Sequence, residues 1–431
     1  MKFHFIPNWL NPKLPFYYGW IILFCVCCAG FARQGPAVAT LSIFIFPMTS
    51  EFGWSFTAVS SAVSLGGILA AVSSPFLGLL LDKYGSRTIL CISIIITGFT
   101  VMLISLTQSL FFFFALFCIA RMNFAGPFDL GIYGALNNWF MHYRGIATSV
   151  ITFTQMTGLM AMPLIAQICI LYDGWRFGWI VIGATVLIIG FLPNWALMVR
   201  RPEDLGLKPD GGLEPNTSEQ TEENNLNRQT NLEPSFTRHE ALGTMSFWML
   251  SLYTLLIYPV QAGISLHQAP HLIERGLDPT IAATVISTFS LFSAFAGVIF
   301  GILVSRITIR LSLVAAALAL SSSTISMILI SEVWHGYFAA AMFGIGIGGI
   351  LTILPIAWAD FFGRRSFGSI RGIALSIQVT AQASGPLISG FLRDQTGDYF
   401  MSLVIFMGLS LAAVLAAILT KPPKPFTKNL K

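Results

Sequence analysis

Three charged side chains lie inside long apolar stretches of this sequence: Arg33, Arg121 and Asp129. If those stretches cross a membrane, a charge at their middle is costly and seldom faces lipid, so each marks a candidate site. A guanidinium can bind a carboxylate through two parallel hydrogen bonds, and two buried arginines therefore suit an anionic ligand. For Arg33 the alternative is a structural cation held by helix carbonyls.

Asp129 follows Gly126-Pro127 and comes eight residues after Arg121. On a regular helix this spacing is about 12 Å along the axis and about 80° around it, so a direct ion pair is not expected unless Pro127 bends the helix. An unpaired carboxylate in apolar surroundings could carry a proton. The alternative is a capping or hydrogen-bonding aspartate.

Uncharged polar side chains form a second set of candidates. His267 and His271 are four residues apart and share a helix face. His267 is a candidate for proton coupling or for a hydrogen bond at the outer end of its helix, and a polar rim is the alternative. No third ligand lies nearby, so a metal site is not expected. Gln155, Gln378 and Gln382 could bind substrate, although amides also join helices in membranes.

The elements that carry these side chains follow from the composition. Hydrophobic residues make up 55% of the 431-residue chain and charged residues 10%, with a mean hydropathy of +0.75. A helix needs about 20 apolar residues to cross about 30 Å of hydrocarbon, and the long stretches lack the alternation of barrel strands. The sequence predicts an all-α membrane protein with twelve spans, at about 18–46, 55–81, 88–108, 110–136, 146–171, 176–199, 245–272, 279–304, 308–331, 336–359, 369–392 and 399–420.

A polar segment near the middle of the chain divides these spans into two sets of six. We predict a first six-helix bundle at 1–199, a linker loop at 200–244, a second bundle at 245–420 and a basic tail at 421–431. Apart from a short helix leading into the seventh span, disorder is expected in the linker because its composition is polar.

The two sets resemble each other. Arg144-Gly-Ile-Ala recurs as Arg371-Gly-Ile-Ala at an offset of 227 residues, and Gln155 and Gln382 are related by the same offset. The stretch Gly78-Leu-Leu-Leu-Asp82-Lys83-Tyr-Gly85-Ser-Arg87 recurs at an offset of 223 residues as Gly301-Ile-Leu-Val-Ser305-Arg306-Ile-Thr308-Ile-Arg310, in which Asp82 becomes Ser305. These ordered repeats indicate a duplication of six helices.

The net charge of +5 is unevenly distributed, with most of the 24 Lys and Arg residues on one side of the predicted membrane. The positive-inside rule then places both termini and the linker in the cytoplasm. This distribution along the loops disfavours a nucleic-acid partner.

The pattern G-x-x-x-D-K-x-G-x-R from Gly78 to Arg87, with its echo in the second half, resembles the signature of the major facilitator superfamily. Further stretches are similar to the branch of monocarboxylate transporters and oxalate/formate antiporters, bacterial members above all. They are Tyr18-Gly19-Trp20, Glu51-Phe52-Gly53-Trp54, Gly174-Trp175-Arg176 and Arg201-Pro202-Glu203-Asp204.

The resemblance implies two pseudo-symmetric six-helix bundles around a central cavity, which opens to each side in turn as the halves rock. It also implies that the repeated loops form a gate; a simple topology anchor is the alternative. The gate residues would be Gly78, Asp82, Lys83, Gly85, Arg87, Arg306 and Arg310. Superfamily members often carry an arginine in the fourth helix, so a structural or coupling role is the alternative for Arg121. The aspartate–arginine pair that several eukaryotic monocarboxylate transporters have in the eighth helix is absent here.

The predicted function is a secondary active transporter of a small organic anion, a monocarboxylate, coupled to protons or working by exchange with a counter-anion. Arg33 and Arg121 would bind the anion. The alternatives are a proton-driven exporter of a larger amphipathic metabolite, drug or siderophore, and a membrane sensor that binds without transport. The sequence has no nucleotide-binding loop and no spacing typical of an enzyme, so we expect no cofactor. A multi-pass monomer in the inner (cytoplasmic) membrane is expected.

Overall fold

A computed structural model describes residues 5–54, 56–212, 236–277, 279–304 and 306–423. Ser305, part of the predicted linker (213–235) and most of the predicted tail (424–431) lie outside the described residues. In the described ranges the regular elements are helices, α1 (Phe5–Leu10), α2 (Gly19–Ala32), α3 (Val38–Phe52), α4 (Phe56–Tyr84), α5 (Ser86–Ile104), α6 (Leu110–Ala125), α7 (Pro127–Trp139), α8 (Arg144–Thr185), α9 (Leu192–Leu197), α10 (Arg238–Leu242), α11 (Met245–Glu274), α12 (Pro279–Leu303), α13 (Ile309–Ile328), α14 (Val333–Phe362), α15 (Phe367–Thr396) and α16 (Phe400–Leu419).

Within the described ranges, eight helical runs are long and apolar enough to cross a membrane: Ser61–Tyr84, Ser86–Ile104, Leu110–Trp139, Arg144–Leu197, Met245–Gln268, Ile309–Ile328, Val333–Phe362 and Phe400–Leu419. Shorter apolar helices accompany them at Gly19–Ala32, Ile43–Phe52 and Thr288–Leu303. The run Arg144–Leu197 has 54 residues and covers two predicted spans. Its chain turns at Asp173 and Gly174, whose backbone angles are not helical.

Two predicted spans are broken in the middle. The first span is divided into α2 and α3 by residues 33–37, where the sequence predicted an interruption. The fourth span is divided into α6 and α7 at Gly126, and Pro127 opens α7. Proline is tolerated at the first position of a helix because its missing N–H would have no partner there. The backbone of Gly126 (φ −106°, ψ −86°) is not helical, so α6 and α7 do not form one regular helix and the regular-helix spacing from Arg121 to Asp129 does not apply.

The eleventh predicted span, α15, is not among the runs that pass on hydropathy. It carries Arg371, Gln378 and Gln382, and it packs against α4 of the first half and α11 of the second. On the other side of the molecule α8 of the first half packs against α12 of the second. Polar side chains are tolerated in α15 because it lies between helices and not in lipid.

The hydrophobic core has two main parts. One is built from the first half, with Trp139 and Trp179 fully buried. The other is built from the second half, with Phe247 and Trp358 fully buried, and it also includes Tyr133 of α7. Tyr133 therefore belongs to one half by sequence and to the core of the other by contact. The domain boundaries stay a prediction.

The beginning of the predicted linker is folded, contrary to the expected disorder. Residues 202–205 and 209–212 form short 3-10 turns. The carboxylate of Asp210 accepts hydrogen bonds from the backbone N–H groups of Met141 (2.8 Å), His142 (2.6 Å) and Tyr143 (3.4 Å). These contacts fix the segment under the α7–α8 connection. The short helix predicted before the seventh span is α10, which begins with a capping box at Thr237 and Glu240.

Candidate functional site

Arg33 ends α2 and reaches the break between α6 and α7. Its Nε donates to the Phe124 carbonyl at 2.8 Å, and its Nη1 lies 3.4 Å from Oδ1 of Asp129. The guanidinium also lies 4.5 Å from the centroid of the Phe124 ring. Arg33 comes directly after α2, which ends at Ala32. Its side chain contacts the fourth span of the same half at the place where that span is divided into α6 and α7.

Arg121 approaches the same aromatic ring, with its guanidinium 4.2 Å from the Phe124 centroid. Cations are attracted to the face of an aromatic ring, and here one phenyl group attracts two guanidinium groups. The Nε and Nη1 atoms of Arg121 are buried and have no hydrogen-bond partner among the described residues. Buried donors without an acceptor are costly, so this guanidinium is suited to receive an anion.

Asp129, in the first turn of α7, binds two arginines. Its Oδ1 is the oxygen near Arg33, and its Oδ2 lies 3.2 Å from Nη2 of Arg371 in α15. The same Nη2 of Arg371 donates to Oε1 of Gln378 at 2.8 Å. Of the two alternatives that the sequence left open, the structure has the hydrogen-bonding aspartate: Asp129 pairs with Arg33 and Arg371 and, as expected from the spacing, not with Arg121. Its predicted role as a proton carrier stays a prediction.

A second ion pair joins the halves at Arg144 and Asp360. Arg144 opens α8 in the first half, and Asp360 lies near the end of α14 in the second. Arg144 and Arg371 are 4% and 2% exposed. The charge pattern counted both among the basic residues on one side of the predicted membrane, so their burial is a finding of the structure. The repeated Arg-Gly-Ile-Ala motif could have indicated these two residues. In each repeat the arginine pairs with an aspartate of the opposite half, Arg144 with Asp360 and Arg371 with Asp129.

The symmetry continues one turn further along the same helices. Ser149 Oγ donates to the Gly297 carbonyl at 3.1 Å, and Ser376 Oγ donates to the Ala71 carbonyl at 2.5 Å. Each serine comes five residues after its arginine, and each carbonyl belongs to the other half. Glycines permit this close approach. A Cβ on Gly78 would lie 2.1 Å from the Gly368 carbonyl oxygen.

The predicted gate residues lie at the same end, which we call the loop side because the α4–α5 turn, the folded segment 200–212 and the α14–α15 turn meet there. The carboxylate of Asp82 accepts from the N–H groups of Gly368 (2.9 Å) and Ser369 (2.8 Å) at the start of α15. An anion is stabilised at a helix N-terminus by the backbone donors and the helix dipole. Asp82 thus joins the two halves.

The other predicted gate residues have local surroundings. Lys83 lies 5.2 Å from the Tyr84 ring centroid, and Arg87 donates from Nη2 to the Trp195 carbonyl at 2.6 Å. Gly85 has φ +82°, which disfavours any residue with a side chain. At the α12–α13 turn, Arg306 is exposed and Arg310 is half-buried.

The other side chains that the sequence predicted as site residues are Gln155, Gln382 and His267. Gln155 is 5% exposed, and its Nε2 has no partner in the described part of the chain. Gln382 donates from Nε2 to Oε1 of Gln261 at 3.1 Å within the second half. Nδ1 of His267 lies 3.2 Å from the Tyr399 hydroxyl, and Nε2 of His271 lies 2.9 Å from the Met327 carbonyl oxygen. Among the residues described, no group of three metal-ligating side chains is found.

Comparison with known proteins shows which family and which relatives this chain is similar to. Residues 22–273 match the family model of the Major Facilitator Superfamily, which is more than half of the chain. The chain is 23% identical to human monocarboxylate transporter 7 over 435 residues, covering 88% of this chain and 82% of that protein. It is 28% identical to the membrane sensor protein UhpC of Salmonella typhimurium over 231 residues, 52% of this chain and 50% of that protein.

Among solved structures, the fold is similar to that of the proton:xylose symporter XylE, with a TM-score of 0.70. That alignment covers 92% of this chain and 94% of the other at 15% identity, so it concerns the fold alone. The predicted all-α membrane fold is confirmed. Because the family model matches more than half of the chain, this protein belongs to the Major Facilitator Superfamily and is a multi-pass membrane transporter.

Proposed function

We propose that this chain is a secondary active transporter that moves a small organic anion, a monocarboxylate, across the membrane by alternating access. The observation that carries the proposal is the Arg121 guanidinium, whose buried Nε and Nη1 lack a protein acceptor while Arg33 approaches the same Phe124 ring. The Nε–H and Nη1 groups point to different sides of the guanidinium, so a carboxylate would satisfy one of them directly, and its two oxygens could bind Nη1 and Nη2 together through two parallel hydrogen bonds. The similarity to a monocarboxylate transporter supports this choice of anion.

Asp129 would act as the internal counter-anion of Arg33 before substrate binds. Its contact with Arg33 is 3.4 Å long, whereas strong charge-assisted hydrogen bonds measure about 2.7–2.9 Å. A substrate carboxylate can therefore replace Asp129 on Arg33 at small cost. Asp129, once released from Arg33, is our candidate for the proton site. Exchange with a counter-anion is the other mode of coupling and does not require that protonation.

The two cross-half ion pairs would keep the loop side closed. Arg144–Asp360 and Arg371–Asp129 each join one half to the other, so both must separate before the halves can rock apart on this side. Gln378 holds Arg371 and therefore belongs to this gate. Gln155, Gln382 and His267 are retained as candidates from their sequence positions. We place the loop side in the cytoplasm, on the charge asymmetry.

A proton-driven exporter of a larger amphipathic molecule is the second candidate. It is favoured by α12, whose sequence PTIAATVISTFSLFSAFAGVIFGIL contains no charged residue. Such an exporter would not require a carboxylate on its substrate. The similarity to a sensor protein adds a third outcome, in which ligand binds but is not transported.

The experiment is uptake of labelled monocarboxylates into proteoliposomes, with and without a pH gradient, by wild type and Arg33→Gln. The matched control is Arg393→Gln, which removes an exposed arginine paired with Glu274. Gradient-stimulated uptake that is lost in Arg33→Gln and kept in Arg393→Gln supports carboxylate–proton symport. Uptake by exchange that does not depend on the pH gradient would support an anionic substrate and contradict the proton role of Asp129. If folded wild-type protein carries no carboxylate, the proposal is wrong.

A further inference from the structure

A cleft lined by four arginines lies between the two halves on the loop side. Arg200 and Arg201 come from the end of the first half, and Arg364 and Arg365 come from the α14–α15 turn of the second. Asp82 and Asn138 also line it. Neither half contains this site alone, because two consecutive arginines come from each.

Among the residues that the structure describes, the cleft has fewer acidic than basic groups. Asp82 already accepts hydrogen bonds from the backbone of Gly368 and Ser369. Glu203, half-exposed at the rim, pairs with Nη2 of Arg364 at 2.8 Å. Among the described residues, four guanidinium groups are therefore opposed by two carboxylates, one bound to backbone N–H groups and the other paired with Arg364. Like charges brought together from opposite halves repel each other unless an anion joins them.

The inner arginines are held in place by the protein. Nη2 of Arg200 donates to the Asp82 carbonyl at 2.6 Å, and Nη1 of Arg364 donates to the Asn138 carbonyl at 3.3 Å. The side chain of Arg200 also lies across Gly85, where an added Cβ would come within 2.7 Å of its Cδ. Arg200 and Arg364 are thus held by hydrogen bonds to the backbone, whereas Arg201 and Arg365 are exposed.

We propose that this cleft binds a phosphate group and that the bound group holds the two halves together on the loop side. A phosphate offers several acceptor oxygens to arginine forks from different directions, which a single carboxylate does not. Basic pockets between membrane helices bind acidic lipid head groups, and the exposed aromatic side chains of Tyr84 and Trp195 lie at the same end of the bundle. The phosphate belongs to an acidic phospholipid or to a free anion, and the test separates these sources.

The effect on the protein follows from the two-sided contact. An anion that touches arginines of both halves binds best when the halves are together, and it shifts the population toward that conformation. Binding would therefore raise stability. This inference does not depend on the transported substrate, and it can hold if the carboxylate proposal fails.

The test is thermal unfolding of the delipidated full-length protein, followed with a thiol-reactive dye that reports exposure of the buried cysteines Cys25, Cys27, Cys118 and Cys169. Phosphatidylglycerol, phosphatidylcholine and inorganic phosphate are titrated separately. We expect phosphatidylglycerol to raise the unfolding temperature of wild type and phosphatidylcholine to leave it unchanged. A rise with inorganic phosphate at similar concentration assigns the site to a free anion, and a rise with the acidic lipid alone assigns it to a head group.

The test variant is Arg201→Gln/Arg365→Gln, which removes the exposed pair and keeps the hydrogen bonds of Arg200 and Arg364. The control is Arg238→Gln/Arg275→Gln, which removes the same charge from two exposed arginines outside the cleft. We expect the test variant to bind the effective probe at least about tenfold more weakly and the control to bind like wild type. Equal weakening in both variants, or no rise in wild type with any probe, would overturn the proposal. If the test variant does not fold, phosphorus retained per wild-type molecule during delipidation decides instead: stoichiometric retention supports the site, and none opposes it.

Discussion

Arg371 donates from Nη2 to Oδ2 of Asp129 across the boundary between the halves, at 3.2 Å, while Arg33 holds the other oxygen of the same carboxylate at 3.4 Å. One carboxylate therefore joins a candidate substrate arginine to a candidate gate arginine. A change at either oxygen alters the charge balance at the other. In the proposed cycle, substrate binding at Arg33 would change the charge around Asp129. It would therefore act directly on the Arg371–Asp129 ion pair of the loop-side gate.

Asp129→Asn should destabilise the protein more than Arg371→Gln. Loss of Asp129 leaves two buried guanidinium groups without a counter-charge, at a cost of about 3–5 kcal/mol. Loss of Arg371 leaves Asp129 paired with Arg33, so we expect about 1–3 kcal/mol. Chemical unfolding in detergent measures both, and the double variant should lose less than the sum. Additive losses would show that the two side chains are not energetically coupled.

Asp360→Asn should cost more than Arg144→Gln, although both break the same ion pair. The Arg144 side chain is 5% exposed and the Asp360 side chain 39%. Water can therefore solvate a lone Asp360 but hardly a lone Arg144. We expect about 2–3 kcal/mol for Asp360→Asn and about 1 kcal/mol for Arg144→Gln, below the value for a fully buried pair. Chemical unfolding of both variants measures the two free energies of unfolding. A larger loss in Arg144→Gln than in Asp360→Asn would contradict this explanation.

Gly78→Ala should impair both folding and transport. The added methyl would lie 2.1 Å from the Gly368 carbonyl oxygen, so α4 and α15 would have to separate, at about 1–3 kcal/mol. The control is Gly408→Ala in α16, where the new Cβ would meet no heavy atom outside its own stretch of helix within 4 Å. Alanine is the better helix former by about 1 kcal/mol, so the control should be neutral or stabilised. Similar unfolding curves for the two variants would disprove the close approach.

Arg121→Gln should weaken carboxylate transport, and Arg121→Lys should restore only part of it. A lysine supplies the charge but not the planar fork, so it cannot form two parallel hydrogen bonds to one carboxylate. A lost hydrogen bond to a charged group costs about 1.5–3 kcal/mol, which corresponds to a rise in KM of about 10-fold to 150-fold in Arg121→Gln. Uptake measured against substrate concentration gives KM for each variant. Full activity in Arg121→Lys would indicate a point-charge role, and full activity in Arg121→Gln would remove the residue from the site.

Much of the architecture could be predicted because long apolar stretches leave few alternatives. The interruption after Arg33 follows from Gly35-Pro36, and the six-helix repeat follows from motifs at offsets of 227 and 223 residues. The fold of residues 200–212 could not be predicted from composition. It depends on Asp210 meeting three N–H groups nearly 70 residues earlier in the chain, which a local pattern does not contain.

The sequence by itself determined that the protein is helical, membrane-embedded and duplicated, and that Arg33, Arg121 and Asp129 carry charge at unusual depth. Only the tertiary structure decided that Arg144 and Arg371 are buried and that Asp129 has two partners. The reason is physical. Hydropathy along the chain reports whether a segment enters the membrane, whereas a charge at a helix end is exposed or buried according to the helix of the other half that packs against it.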